Sequence, residues 1–233
     1  MTTTDEQATI KRILNSVQAS KPKEIEMIYV TPNQSKKSRS CDEPQQAQRP
    51  APTKPRSVPA LHWDELDNID ESKCEQWLSA RDKILDKSSD GFLVALIGNR
   101  GTGKTQMAVS IIWTALCYGV TIHYTLATEI MLEIRATYGN AATESELTVL
   151  QRFIRPELLI IDEITELAST DASARSLTYI IDKRYMAKKK TVLIGNVKSD
   201  RLQEHLGQSI IDRLIQTGGV IVCDWDSFRS KQN

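Results

Sequence analysis

The chain has 233 residues, 40% of them hydrophobic, with 30 basic and 30 acidic side chains and a formal net charge of zero. That length accommodates one well-cored domain plus a tail. No apolar run approaches the ~18 residues of a membrane span, and the opening residues lack the apolar core of a secretory signal, so a cytoplasmic protein is expected. Cys41, Cys74, Cys117 and Cys223 are widely scattered, which implies neither a zinc site nor a disulfide framework.

Within residues 4–19, Ile10, Ile13, Leu14 and Val17 fall at helical spacing and predict a short amphipathic helix. Such a helix is marginal alone in water, so residues 1–30 are read as a partner-binding segment. Residues 31–63 are read as a flexible linker: six prolines between Pro32 and Pro59 stand among Ser, Gln, Lys and Arg with little apolar surface to bury. The folded unit is expected over residues 64–233. It opens with a helical pattern over 72–85 that carries Cys74, Trp77, Leu78, Ile84 and Leu85.

An apolar strand over 92–97 then runs into Gly98, Asn99, Arg100, Gly101, Thr102, Gly103, Lys104 and Thr105, followed by a helix over 104–117. Strand, glycine-rich loop and helix in that order make a phosphate-binding loop. The glycines let successive N–H groups turn toward a triphosphate, and the helix N-terminus adds its positive dipole end. Lys104 is expected on the outer phosphates of ATP and the Thr105 hydroxyl on Mg2+.

Downstream, strand-like runs at 120–124, 158–161, 192–195 and 219–223 alternate with helical patterns at 128–138, 172–186 and 200–215. This predicts an α/β fold with a five-stranded parallel sheet between helices, whose ligands bind at the carboxyl ends of the strands. Asp162 and Glu163 directly follow four aliphatic residues, which suits Asp162 for Mg2+ and Glu163 for the attacking water. Asn196, after the next strand, can either bond the water or terminal phosphate or simply make a turn. A cation on the far side of the terminal phosphate is also needed; Arg213 is the first candidate, with Arg184 and Arg229 in competition.

These motifs, with Leu206, Gly207 and residues 211–214 and with the tail Asp224, Trp225, Asp226, Ser227, Phe228, Arg229 and Ser230, resemble the AAA+ ATPases of the DnaC and IstB group. The resemblance covers about residues 64–231. It implies a P-loop NTPase core without a C-terminal helical lid and an ATPase that loads a hexameric replicative helicase onto single-stranded DNA in a bacterial or bacteriophage system. It further implies self-association through the ATP site with Arg213 acting in trans, and a DNA-contacting element over 127–138. There Arg135 suits phosphates and Tyr138 suits base stacking, although Tyr138 also continues the core spacing of Ile130, Met131 and Ile134. The alternatives are an IstB-like transposition helper, a nucleotide-gated binding module with little turnover, and a small-molecule kinase. The last is disfavoured because Glu163 suits water activation. Charge is compatible with a nucleic-acid partner but does not demand one, since no block of five basic residues occurs.

Overall fold

The computed structural model describes residues 27–29, 51–69, 73–87, 91–139, 142–166 and 171–231. Its centre is a parallel sheet of β1 (Met27–Tyr29), β2 (Leu93–Gly98), β3 (Ile122–Leu126), β4 (Leu158–Asp162), β5 (Lys190–Gly195) and β6 (Val220–Cys223) in the order β1-β6-β2-β5-β4-β3. The register aligns Gly98 with Cys223 and Ile97 with Gly195, so the ends of β2, β5 and β6 lie level at one rim.

The described helices are α1 (Ala60–Asp64), α2 (Glu75–Asp86), α3 (Lys104–Cys117), α4 (Ala127–Arg135), α5 (Glu146–Ile154), α6 (Asp171–Met186), α7 (Leu202–Leu206) and α8 (Gln208–Thr217). Both sheet faces are covered, which explains why the central strands are apolar at every position. Leu93, Ala95 and Ile97 pack with α4, α5, α6 and α8, whereas Phe92, Val94 and Leu96 pack with α2 and α3. None of the described helices is long and apolar enough to cross a membrane.

Four differences from the sequence reading have physical causes. The sheet holds a sixth strand, β1, inside the segment read as partner-binding; it pairs with β6, and three residues are too few to display a period-two pattern. The end of the linker is packed: Val58 is 2% exposed and α1 lies on α3, because a buried valine and Trp63 supply apolar surface that the surrounding prolines obscure. The helix expected over 200–215 is divided at Gly207, whose φ of 75° breaks α7 from α8. Finally, α5 was not anticipated; Ser145 caps it by accepting from Thr148 N–H at 3.2 Å. The amphipathic pattern at 4–19 and the linker over 31–50 lie outside the described residues.

Candidate nucleotide-binding site

The phosphate loop joins β2 to α3 at the carboxyl rim of the sheet. Gly101 and Gly103 adopt φ of 83° and 75°, a region that only glycine enters freely. A Cβ would also strike Ser227 Oγ at 2.1 Å from Gly101 and Trp77 Nε1 at 3.0 Å from Gly103. Lys104 opens α3 and is 5% exposed. Its ammonium donates to Gly98 O at 3.0 Å, Asn99 O at 2.6 Å and Thr102 Oγ1 at 3.3 Å. Burial pushes its pKa below the ordinary lysine value; Cys223 and Asp162 pull the other way and Arg229 adds to the lowering.

Across the rim, Asp162 ends β4 and is 5% exposed. Its Oδ2 accepts from Thr105 Oγ1 at 2.8 Å and from Tyr124 OH at 2.9 Å, and its Oδ1 accepts from the Glu163 N–H at 2.7 Å. The two residues predicted for Mg2+ therefore meet directly, although 57 positions apart in the chain. Tyr124, on the neighbouring β3, was missed by sequence reasoning. Burial, then Asp162, raises its phenol well above the usual range, so it stays a donor. Glu163 is exposed and holds a φ of 56°, uncommon for a non-glycine residue and the kind of local strain that functional sites retain.

Because β5 lies between β2 and β4, exposed Asn196 leaves the sheet between the phosphate loop and Asp162. Arg100 is 3.7 Å from Glu166, an exposed pair of little energetic weight. His62 and Gln106 form another unanticipated pairing, with Nδ1 and Oε1 2.7 Å apart and the Gln106 amide donating to His62 O at 2.8 Å. It ties α1 to the first turn of α3.

The three candidate arginines separate cleanly. Arg229 is exposed on the tail beside the phosphate loop, its Cδ 3.6 Å from the position of a Cβ on Gly101. Arg213 is not drawn into this constellation: its NH2 sits 2.9 Å from Asp182 Oδ1 on α6, its NH1 bonds Ser209 O at 2.6 Å, and its guanidinium lies 5.5 Å from the Tyr185 ring. Arg184 is 0% exposed and donates to Thr191 Oγ1 and to the carbonyls of Phe153, Ile154, Pro156, Glu157 and Lys190, so it is a structural residue and reaches no nucleotide. The ambiguity over Tyr138 also resolves. Its side chain is 59% exposed, whereas Ile130, Met131 and Ile134 are buried; Arg135 is exposed beside it.

The donor set fits a magnesium-bound triphosphate. The loop has a glycine-lined backbone, a buried ammonium at its centre, and a hydroxyl and carboxylate in contact at its rim. Among the described residues no three His, Cys, Asp or Glu side chains converge on a metal.

Comparison with known proteins supports nucleotide binding in general. Residues 70–233 match the family described as IstB-like ATP binding protein. The chain belongs to that family. It is 27% identical over 164 residues to the replicative helicase loader DnaC of Escherichia coli K12, covering 68% of this chain and 66% of that protein. An uncharacterised Escherichia coli K12 protein, YdaV, is 27% identical over 136 residues, covering 58% of this chain and 54% of its own length. Among solved structures, the DnaC helicase loader superposes with a TM-score of 0.60 at 17% identity, over 70% of this chain and 99% of that one. DnaI gives 0.57 at 17% identity, over 73% and 94%. The fold of this family member is thus the P-loop AAA+ α/β fold, and its family is one of ATP-binding proteins.

Proposed function

We propose that this protein is an ATPase that loads a hexameric replicative helicase onto single-stranded DNA in the cytoplasm of a bacterium or a phage-infected cell. The observation that carries the hydrolytic part is the Thr105–Asp162 contact with exposed Glu163 immediately beside it. The likeness to DnaC supports the loading part.

In this reading Lys104 and the loop amides hold the ATP phosphates. Thr105 and Asp162 hold Mg2+, which when bound neutralises charge on the transferring phosphoryl group. Glu163 orients the attacking water and accepts its proton, and Asn196 bonds the same water or the terminal phosphate. Arg213 of a neighbouring subunit completes the site, and to do so it must exchange its Asp182 partner for phosphate. Hydrolysis then loosens the subunit junction and releases the partner. Arg135 and Tyr138 contact single-stranded DNA through phosphate charge and base stacking.

Subunit mixing tests the shared site. Arg213→Ala and Glu163→Gln chains should each be inactive alone and recover part of the hydrolysis when combined; no recovery at any ratio would rule out action in trans. The family match favours a second reading, a transposition helper of the IstB kind. Affinity capture of the full chain from its native cell separates the two by whether the helicase or a transposase is retained.

A further inference from the structure

We propose that Trp77 and the tail at residues 224–229 form a clamp that sets the shape of the phosphate loop and thereby its affinity for nucleotide. The inference rests on the nucleotide-site reading above. Three successive loop carbonyls each accept a hydrogen bond from outside the loop. The Phe228 N–H donates to Gly101 O at 2.9 Å, the Trp225 indole to Thr102 O at 2.9 Å and the Trp77 indole to Gly103 O at 3.0 Å.

The consequence follows from peptide geometry. In a planar trans peptide the C=O and the next N–H point in opposite directions. Holding the carbonyls of 101, 102 and 103 outward therefore turns the N–H groups of Thr102, Gly103 and Lys104 away from the clamp, to the concave side where an anion nests. The other half of the loop is held from within, by Lys104 on the carbonyls of Gly98 and Asn99.

Neither indole is free to withdraw. Trp77 is 0% exposed and Trp225 8% exposed, so a broken bond leaves a buried donor unpaired. The clamp also crowds the loop backbone: Ser227 Oγ lies 2.1 Å and Trp77 Nε1 3.0 Å from where Cβ atoms on Gly101 and Gly103 would stand. Lys73 Nζ lies 4.7 Å over the Phe228 ring and adds a link from the segment that leads into α2. A loop with glycines at two positive-φ positions is costly to order, and a clamp that orders it beforehand lowers the cost of binding. Trp77 and Trp225 are therefore positioning residues.

The test uses the full chain carrying Trp225→Phe or Trp77→Phe, each of which retains an aromatic ring and loses the N–H donor. Titration calorimetry with MgADP should show affinity falling about fivefold for either variant, the loss of one hydrogen bond. The turnover number at saturating ATP should stay near that of the unsubstituted chain. Trp225 emission should shift when MgADP is added to the unsubstituted chain, and that component should vanish in Trp225→Phe. Should Trp225→Phe not fold, incorporation of benzothienylalanine at position 225 keeps the bicyclic shape and removes only the donor. Unaltered MgADP affinity in the folded Trp225 and Trp77 variants would overturn the clamp while leaving nucleotide binding intact. Absence of MgADP binding by the unsubstituted chain would overturn the nucleotide reading, and the clamp with it.

Discussion

Lys104 and Arg184 are two buried cations wrapped by backbone carbonyls, one at each end of the same sheet. Lys104, at the carboxyl rim, has two carbonyls and one hydroxyl as acceptors, all from its own loop. Arg184, near the start of β5, spans five carbonyls and the Thr191 hydroxyl drawn from two separate stretches of chain. Burial lowers both pKa values, Arg184 to about 9, and leaves its guanidinium charged at neutral pH. The difference lies in what the acceptors would otherwise do. The carbonyls around Arg184 belong to the α5–β4 connection and the β5 entry, whereas those around Lys104 belong to the loop that we propose also receives phosphate. Similar chemistry thus serves cohesion at one end and recognition at the other.

Substitution at the two cations sharpens this contrast. Arg184→Met should cost about 3–5 kcal/mol of stability by urea titration, since several buried carbonyls lose their donor at once. It should leave the nucleotide affinity of the folded fraction unchanged; a loss below about 1 kcal/mol would break the comparison. The reciprocal change, Lys104→Met, should weaken MgATP binding by about 10–100-fold, the worth of charged hydrogen bonds, and move the urea midpoint little. Full affinity in that variant would remove Lys104 from the site.

Two smaller effects follow at the rim. Tyr124→Phe deletes one of the donors on Asp162 Oδ2 and should weaken MgADP binding about fivefold, with little effect on ADP in the presence of a chelator. Equal losses with and without magnesium would assign Tyr124 to packing instead. The last effect concerns protons. Because Lys104 titrates below 10.5, the unfolded chain binds more protons than the folded one between the lowered value and 10.5, so its contribution to stability improves as pH rises through that window. Phosphate would restore the ammonium, so nucleotide binding there should take up a fraction of a proton. Calorimetry in two buffers of different ionisation enthalpy would detect it, and identical heats would exclude the coupling.

The contrast also explains what could be read from sequence. Gly98 to Thr105 was legible because its geometry is local, eight consecutive residues between a strand and a helix. Asp162 and Glu163 were legible because four buried aliphatics place them at a strand end. Arg184 was not, and neither was the pairing of Trp225 with Thr102, 123 positions away, or of Tyr124 with Asp162, 38 positions away. Such pairings depend on strand order, which local periodicity does not encode. The sheet order puts β3 beside β4 and β6 beside β2, and only then does a tyrosine reach Asp162 and a tryptophan reach the loop at Thr102. Tyr138 illustrates the converse: helical spacing suggested core, but α4 ends at Arg135 and the ring lies beyond the period that would have buried it.

The short strand β1 bears on solubility. Without it β6 would be an outer strand, presenting a row of unpaired peptide groups along an apolar run of valine and isoleucine, an invitation to intermolecular pairing. Three residues alongside β6 convert that row into an interior ladder, at residues otherwise notable only for preceding a proline-rich stretch. Among the described residues β1 thus takes over the edge position, and its three residues offer a shorter template for pairing than β6 would.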